Sequence, residues 1–159
     1  MISRPPTSPS VADDERFMRI ALTEARHAAD IGEVPVGALV VTATGRIVGR
    51  GHNLTETLSD VTAHAEMQAI TAAAQTLGGK YLADCTLYVT LEPCLMCAGA
   101  IGWSQLGRIV IGADDPRRGY SVLTVRQPFH PRAAVTRGVC ADECLELIRD
   151  FFRGRRNDK

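Results

Sequence analysis

The sequence predicts an α/β domain: a three-layer α/β/α sandwich built on a mixed sheet of about five strands. Three observations predict it. The chain has 159 residues, 45% hydrophobic and 23% charged, which is the length of one domain with apolar residues enough for a full core. Apolar spacing alternates between helical and strand periods in the order α-β-β-α-β-α-β-loop-β-α. A sheet of that size buries both its faces only when helices cover them.

Each element has its own signal. Residues 1–12, rich in Pro and Ser, are expected to form a disordered leader, with residues 13–156 as the single domain and 157–159 as a tail. Asp13 or Asp14 can cap a first helix with Phe17, Ile20, Ala21, Ala25 and Ala28 on its apolar face, ending near Gly32. Val34–Thr42 reads as a strand, Thr44-Gly45 as a turn and Ile47–Gly51 as the hairpin partner. A polar loop spans Asn53–Val61. Thr62 can cap a helix from Ala63 to Leu77, which stops at Gly78-Gly79. Thr86–Thr90 is a short buried strand. Pro93 suits the first position of a helix reaching Trp103. Arg108–Gly112 is a strand, residues 113–131 are irregular with three prolines, Ala133–Thr136 is a fifth strand, and Ala141–Phe152 is the last helix.

Composition excludes some classes of function. No apolar run approaches the ~18–20 residues of a membrane-spanning helix. The formal net charge is zero, but it is unevenly spread: residues 1–107 carry −4 and residues 108–159 carry +4. Any anionic partner is therefore expected at the last third. No apolar stretch of a secretory signal follows Met1, and the five cysteines are odd in number, so a reducing, cytoplasmic compartment is expected. There, paired cysteines read first as metal ligands.

Two segments carry the chemistry, Thr62-Ala-His-Ala-Glu66 and Leu91-Glu-Pro-Cys-Leu-Met-Cys97. Cys94 and Cys97 are i,i+3 at a helix start, so their thiols face one way, and the helix dipole favours their anions. Two thiolates and the imidazole of His64 suit one Zn2+. Three protein ligands leave a tetrahedral zinc an open position, as in catalytic sites. Glu66 stands two residues past His64, beside that position. Zinc lowers the pKa of bound water from about 15.7 to about 7. The expected reaction is hydrolytic deamination of an aromatic amidine carbon by zinc-bound hydroxide, with Glu66 shuttling the proton. A structural zinc would want a fourth Cys or His, and a redox dithiol would need neither His64 nor Glu66.

The joined pattern His-x-Glu…Pro-Cys-x-x-Cys is the signature of zinc base deaminases. With Glu33-Val-Pro-Val-Gly-Ala38, Gly51-His-Asn53, Thr86 to Cys94, Met96-Cys-Ala-Gly-Ala100, Ala141-Asp-Glu-Cys144 and Asp150 to Arg156, the chain resembles the cytidine-deaminase-like superfamily over about residues 13–156. Within it, the chain most resembles bacterial tRNA adenosine deaminases, which act on the anticodon wobble adenosine. The resemblance implies one zinc per chain, a homodimer, Asn53 as a substrate-binding residue, and backbone around Ala65 and Glu92 as walls of the base pocket.

One stretch departs from that pattern. Asp114 to Thr124 is shortened and holds Tyr120 where the family carries small residues, which predicts a narrower mouth. A narrower mouth would favour the alternative, a deaminase of free guanine, cytosine or a related base or nucleoside. Under the RNA reading, Arg117, Arg118, Arg153, Arg155 and Arg156 are phosphate contacts to the anticodon loop and Tyr120 a substrate contact. A third reading, a scaffold that keeps the fold and metal without catalysis, would have little use for Glu66 and Asn53. Among the remaining residues, Cys85, Cys140 and Cys144 read as core, Trp103 as dimer or core packing, and His52 and His130 as lesser pocket candidates.

Overall fold

Ser10 starts the first helix, in place of Asp13 or Asp14. The computed structural model describes residues 10–157. Helix α1 (Val11–Asp30) opens with a capping box in which Ser10 and Asp13 satisfy each other's backbone N–H groups. Residues 10–12 of the expected leader thus belong to the helix start, and residues 1–9 lie outside the described chain. Asp14 is instead buried in a staple: Arg108 donates to its two oxygens at 2.7 and 2.6 Å, and the Tyr88 hydroxyl donates at 2.8 Å.

Strand β1 (Gly37–Val41) is shorter than the expected Val34–Thr42, because Pro35 has no N–H to give a ladder and the Val36 N–H turns back to Val34 O at 2.8 Å. Strand β2 (Ile47–His52) pairs antiparallel with β1 through a turn at Gly45. Helix α2 (Ala65–Leu77) begins two residues later than expected, because Thr62 spends its N–H and hydroxyl on Asp60 and leaves the helix to start after His64. Strand β3 (Thr86–Leu91), helix α3 (Leu95–Trp103) and strand β4 (Arg108–Ala113) follow. The expected irregular stretch contains one short turn of helix, α4 (Tyr120–Leu123), before strand β5 (Ala134–Thr136). Helix α5 (Ala141–Asn157) runs more than a turn past Phe152 and takes in Asn157 of the expected tail, while residues 158–159 lie outside the described chain.

The sheet order is β2-β1-β3-β4-β5. The pairs β2/β1 and β1/β3 are antiparallel, and β3/β4 and β4/β5 are parallel, so the sheet is mixed as expected. Side chains alternate across it. Ala38, Val40, Leu87, Val89, Ile109 and Ile111 pack with α2 and α3 on one face. Leu39, Val41, Tyr88 and Val110 pack on the other face with Phe17, Met18 and Leu22 of α1 and Cys144 of α5. The three layers are complete.

Helix α2 lies unusually close to the sheet. A Cβ on Gly51 would stand 2.3 Å from Ala65 O, and one on Gly49 would stand 2.2 Å from Ala69 O. Ala65, Ala69 and Ala73, one turn apart on α2, face these glycines as a stripe of small residues. This contact sets the depth at which the start of α2 delivers His64 and Glu66.

Candidate metal centre and active site

Two helix starts meet at one end of the sheet. His64 is the N-cap of α2 and Cys94 the N-cap of α3, and neither side chain makes a capping hydrogen bond. Pro93 stands just before that cap, two positions ahead of the first helical residue, Leu95, where it was expected. Nδ1 of His64 lies 3.7 Å from Cys94 Sγ and 3.5 Å from Cys97 Sγ, and the three ligand atoms all lie within 4.8 Å of one another. A zinc bonded to sulfur at about 2.3 Å and to nitrogen at about 2.0–2.1 Å sets an N···S tetrahedral edge near 3.5 Å. The three side chains therefore stand at the spacing of a zinc triad.

The donor set has the right charge as well. The hydrogen bond from the Cys97 thiol, joined by that from His64, pushes the Cys94 thiol down to about 3. Cys97, donating to Cys94 and buried, is pushed well up. Cys94 is therefore the sulfur that favours its anion, the form in which a thiol would hold a metal. The Cys94 thiolate raises the pKa of His64. Glu66 is buried beside the triad, and that burial raises the pKa of its carboxyl.

A cavity of about 550 Å³ opens over these residues. His64, Glu66 and Cys94 form its floor, Val34, Val36 and Leu91 part of its wall, and Met96, Asp115 and Arg118 part of its rim. Its size falls within the range of small-molecule sites. A hollow of similar size, about 490 Å³, opens at the other end of the sheet beside Thr42–Gly45, Asp84 and Arg108. Among the described residues no metal-ligating triad lies there, so size alone does not mark the site.

Asn53 lines the cavity and works as a buckle. Its Nδ2 donates to Val34 O at 3.0 Å, and its Oδ1 accepts the Ala65 N–H at 2.9 Å, which caps the start of α2 beside His64. Ala65 is wholly buried, and Glu92 lines the cavity with its carboxylate engaged by Asp115, Ser121 and Arg137. Burial opposes its charge, yet Ser121, Arg137 and the Asp115 N–H outweigh that and hold the carboxyl below its usual range.

Tyr120, expected at the mouth, is buried instead. Its ring packs edge-on against Phe129 at 4.9 Å and its hydroxyl accepts from Arg137. It does not narrow the cavity. Arg118 lines the rim, whereas Arg117 is exposed beside it. Arg153, Arg155 and Arg156 are exposed on α5, where Arg153 pairs with Asp150 at 3.2 Å and Arg155 donates to Gly32 O at 2.6 Å. His52 sits 3.0 Å from Glu24 and His130 accepts the Arg132 N–H, so neither lines the cavity.

Two residues that hold the site escaped the sequence reading. Glu33, 1% exposed, takes the N–H groups of Glu56 at 2.7 Å and Thr57 at 2.9 Å and so pins the loop that carries Thr55 and Val61 to the cavity. Arg137 reaches Glu92 from beyond β5. Glu33 lay in a motif already singled out. Arg137 had no local signal.

Residues 11–113 match the model of the cytidine and deoxycytidylate deaminase zinc-binding region. The chain belongs to that family. Membership makes it a zinc-dependent deaminase, and His64, Cys94 and Cys97 are placed to hold one metal ion. Among relatives of this family member, the tRNA-specific adenosine deaminase of Agrobacterium fabrum is 44% identical over 152 residues, covering 93% of this chain and 99% of the relative. That of Bacillus subtilis is 44% identical over 153 residues, 94% of each. A chloroplastic tRNA(adenine(34)) deaminase of Arabidopsis thaliana is also 44% identical, and this chain spans 12% of its length. A structure from a study of A-to-I editing by tRNA:A34 deaminases at the wobble position superposes with a TM-score of 0.77 and 42% identity, over 83% of this chain and 98% of that one. A guanine deaminase from Nitrosomonas europaea superposes with a TM-score of 0.74 at 25% identity, over 86% of this chain and 83% of the other.

Proposed function

We propose that this deaminase converts adenosine to inosine at the wobble position of a tRNA anticodon loop. The observation that carries the reading is the 44% identity, over 93% of the chain, with tRNA-specific adenosine deaminases, on a site built for deamination. The guanine deaminase shares the fold almost as well at 25% identity, so fold does not separate the substrates and residue identity favours the RNA. A loop base is reached without melting a duplex, and the open rim with Arg118 suits a nucleotide still joined to its chain.

A zinc ion held by His64, Cys94 and Cys97 supplies, when bound, a Lewis acid that makes water acidic at neutral pH. Glu66 then has one task performed twice: its carboxylate takes one proton from the water and delivers it to the ring nitrogen, then takes the second proton from the same oxygen and delivers it to the departing amine. The C6–N bond breaks, the water oxygen stays on C6, and ammonia leaves. Asn53 keeps a second Nδ2 hydrogen for the base after donating one to Val34 O. The walls at Ala65 and Glu92 flank the ring. Arg118 at the rim, Arg117 beside it and Arg153, Arg155 and Arg156 on α5 meet phosphates.

The same reading includes a homodimer in the cytoplasm. Leu95, Met96 and Trp103 line the outer side of α3, and Trp103 is 84% exposed, which suits a covering partner chain and excludes core packing for this residue. All five cysteines are free, as a reducing compartment requires. Among the described residues no helix is long and apolar enough to cross a membrane.

The test offers zinc-loaded protein an anticodon stem-loop with adenosine at the wobble position and, separately, free guanine, adenine, cytosine and their nucleosides. Inosine in the stem-loop without ammonia from the free bases is expected. Ammonia from a free base with an untouched stem-loop overturns the reading. Chelation abolishes activity and added zinc restores it, whereas Cys97→Ser lowers both zinc content and activity.

A further inference from the structure

The Glu92 carboxylate is the centre of a turn. Its oxygens accept the Asp115 N–H at 3.2 Å, the Ser121 N–H at 3.0 Å and the Ser121 hydroxyl at 2.6 Å. The chain closes on it tightly: a Cβ on Gly119 would stand 2.4 Å from Glu92 Cδ. Asp115 continues the turn by accepting the N–H groups of Arg117 and Arg118, each at 3.0 Å. Arg118 is thereby set on the cavity rim, without an ion-pair partner among the described residues.

A buried anion at the centre of a turn needs a cation, and it comes from the far side of β5. The Arg137 guanidinium stands 3.4 Å from Glu92 Oε1 and 3.5 Å from Oε2, and it donates at 2.8 Å to both Asp114 Oδ1 and the Tyr120 hydroxyl. One planar fork thus ties together both ends of the segment 114–120 and the carboxylate inside it. Without it, Glu92 would be a buried charge lacking its counterion, and the turn would open to let water reach it.

We infer that Arg137 is a positioning residue for substrate: through Glu92 and Asp114 it fixes the turn that presents Arg118 to the phosphate flanking the reacting nucleotide. This rests on the RNA reading above.

The experiment is a double-mutant cycle on the full-length holoenzyme, using the wobble-adenosine stem-loop for steady-state kinetics and for binding by fluorescence anisotropy. Arg137→Met raises KM about tenfold with kcat within about twofold, the pattern of lost uniform binding, and zinc content stays at wild type. Arg118→Ala raises KM comparably, and the double variant is no worse than Arg118→Ala, because Arg137 acts only through it. Arg137→Lys keeps the counterion and the fold but not the fork, so its KM stays at least about threefold above wild type. Wild-type KM in Arg137→Met, additive effects, or full recovery with Lys each overturn the assignment. A wild type that neither binds nor deaminates the stem-loop ends the RNA reading and this assignment with it. A wild type that does both, beside an unaffected Arg137→Met, ends this assignment alone.

Discussion

Glu66 is worth most at the scale of single residues, because it is buried beside the triad, whereas Glu92, the other buried carboxylate lining the cavity among the described residues, is tied to Ser121 and Arg137. Glu66→Gln keeps the shape and removes the proton carrier. Deamination of the stem-loop is expected to fall about 10²–10⁴-fold while metal analysis still finds one zinc per chain. Retained activity would assign the proton to another group. The triad and Glu66 were legible in the sequence because their spacing is local: one residue separates His64 from Glu66 and two separate Cys94 from Cys97. The position of Tyr120 was not legible. A tyrosine in an irregular, Pro-containing stretch has no period to show which way it faces, and its burial depends on Phe129 and Arg137, both distant in sequence. The same distance hid Arg137, whose partner Glu92 lies 45 residues away.

Elements were legible where a local device ends them and less so where a tertiary contact does. The stop of α2 at Gly78, φ +71, matches the expected one, and the sheet is mixed as expected. The start of α2 was misplaced because Asn53, far back in the chain, supplies its cap and Thr62 does not. That start depends on the glycine stripe of β2. Gly51→Ala places a methyl against Ala65 O and Ala69 N and must lift the first turn of α2 off the sheet. Overpacking of this kind costs about 1–3 kcal/mol. Because the lifted turn carries His64, zinc affinity is expected to fall together with the melting temperature. Gly45→Ala, at an open turn with nothing within 4 Å of the added methyl, strains only the local φ of +86° and leaves zinc affinity unchanged. Competition with a fluorescent chelator separates the two. Equal zinc affinity in both variants would show that α2 does not set the depth of the ligand.

The whole molecule divides its labour along β3. The strand ends at the zinc triad and begins, about 17 Å away by strand rise, beside the start of β4, where Arg108 reaches back to Asp14. This staple joins α1 to β4 and, through Thr136, to β5, so it fastens the sheet edge at the end opposite the chemistry. Its members were present in the sequence, but Asp14 read as a cap because capping is a local rule and a partner at position 108 is not. Both charges are mostly buried, with side-chain exposures of 19% for Arg108 and 6% for Asp14. Asp14→Ala leaves the guanidinium unpaired and the Tyr88 hydroxyl without its acceptor, and is expected to cost about 3–5 kcal/mol. The urea midpoint should fall with an unchanged slope, while kcat of the protein that remains folded stays at wild type. Replacing all three together, Asp14→Leu with Arg108→Met and Tyr88→Phe, leaves only the partly buried Thr136 hydroxyl without its partner and should recover much of the loss. If Asp14→Ala instead lowers kcat in the folded protein, the two ends of the sheet are coupled, and the edge fastened by Arg108 helps hold the β4–β5 side from which Arg137 reaches the cavity turn.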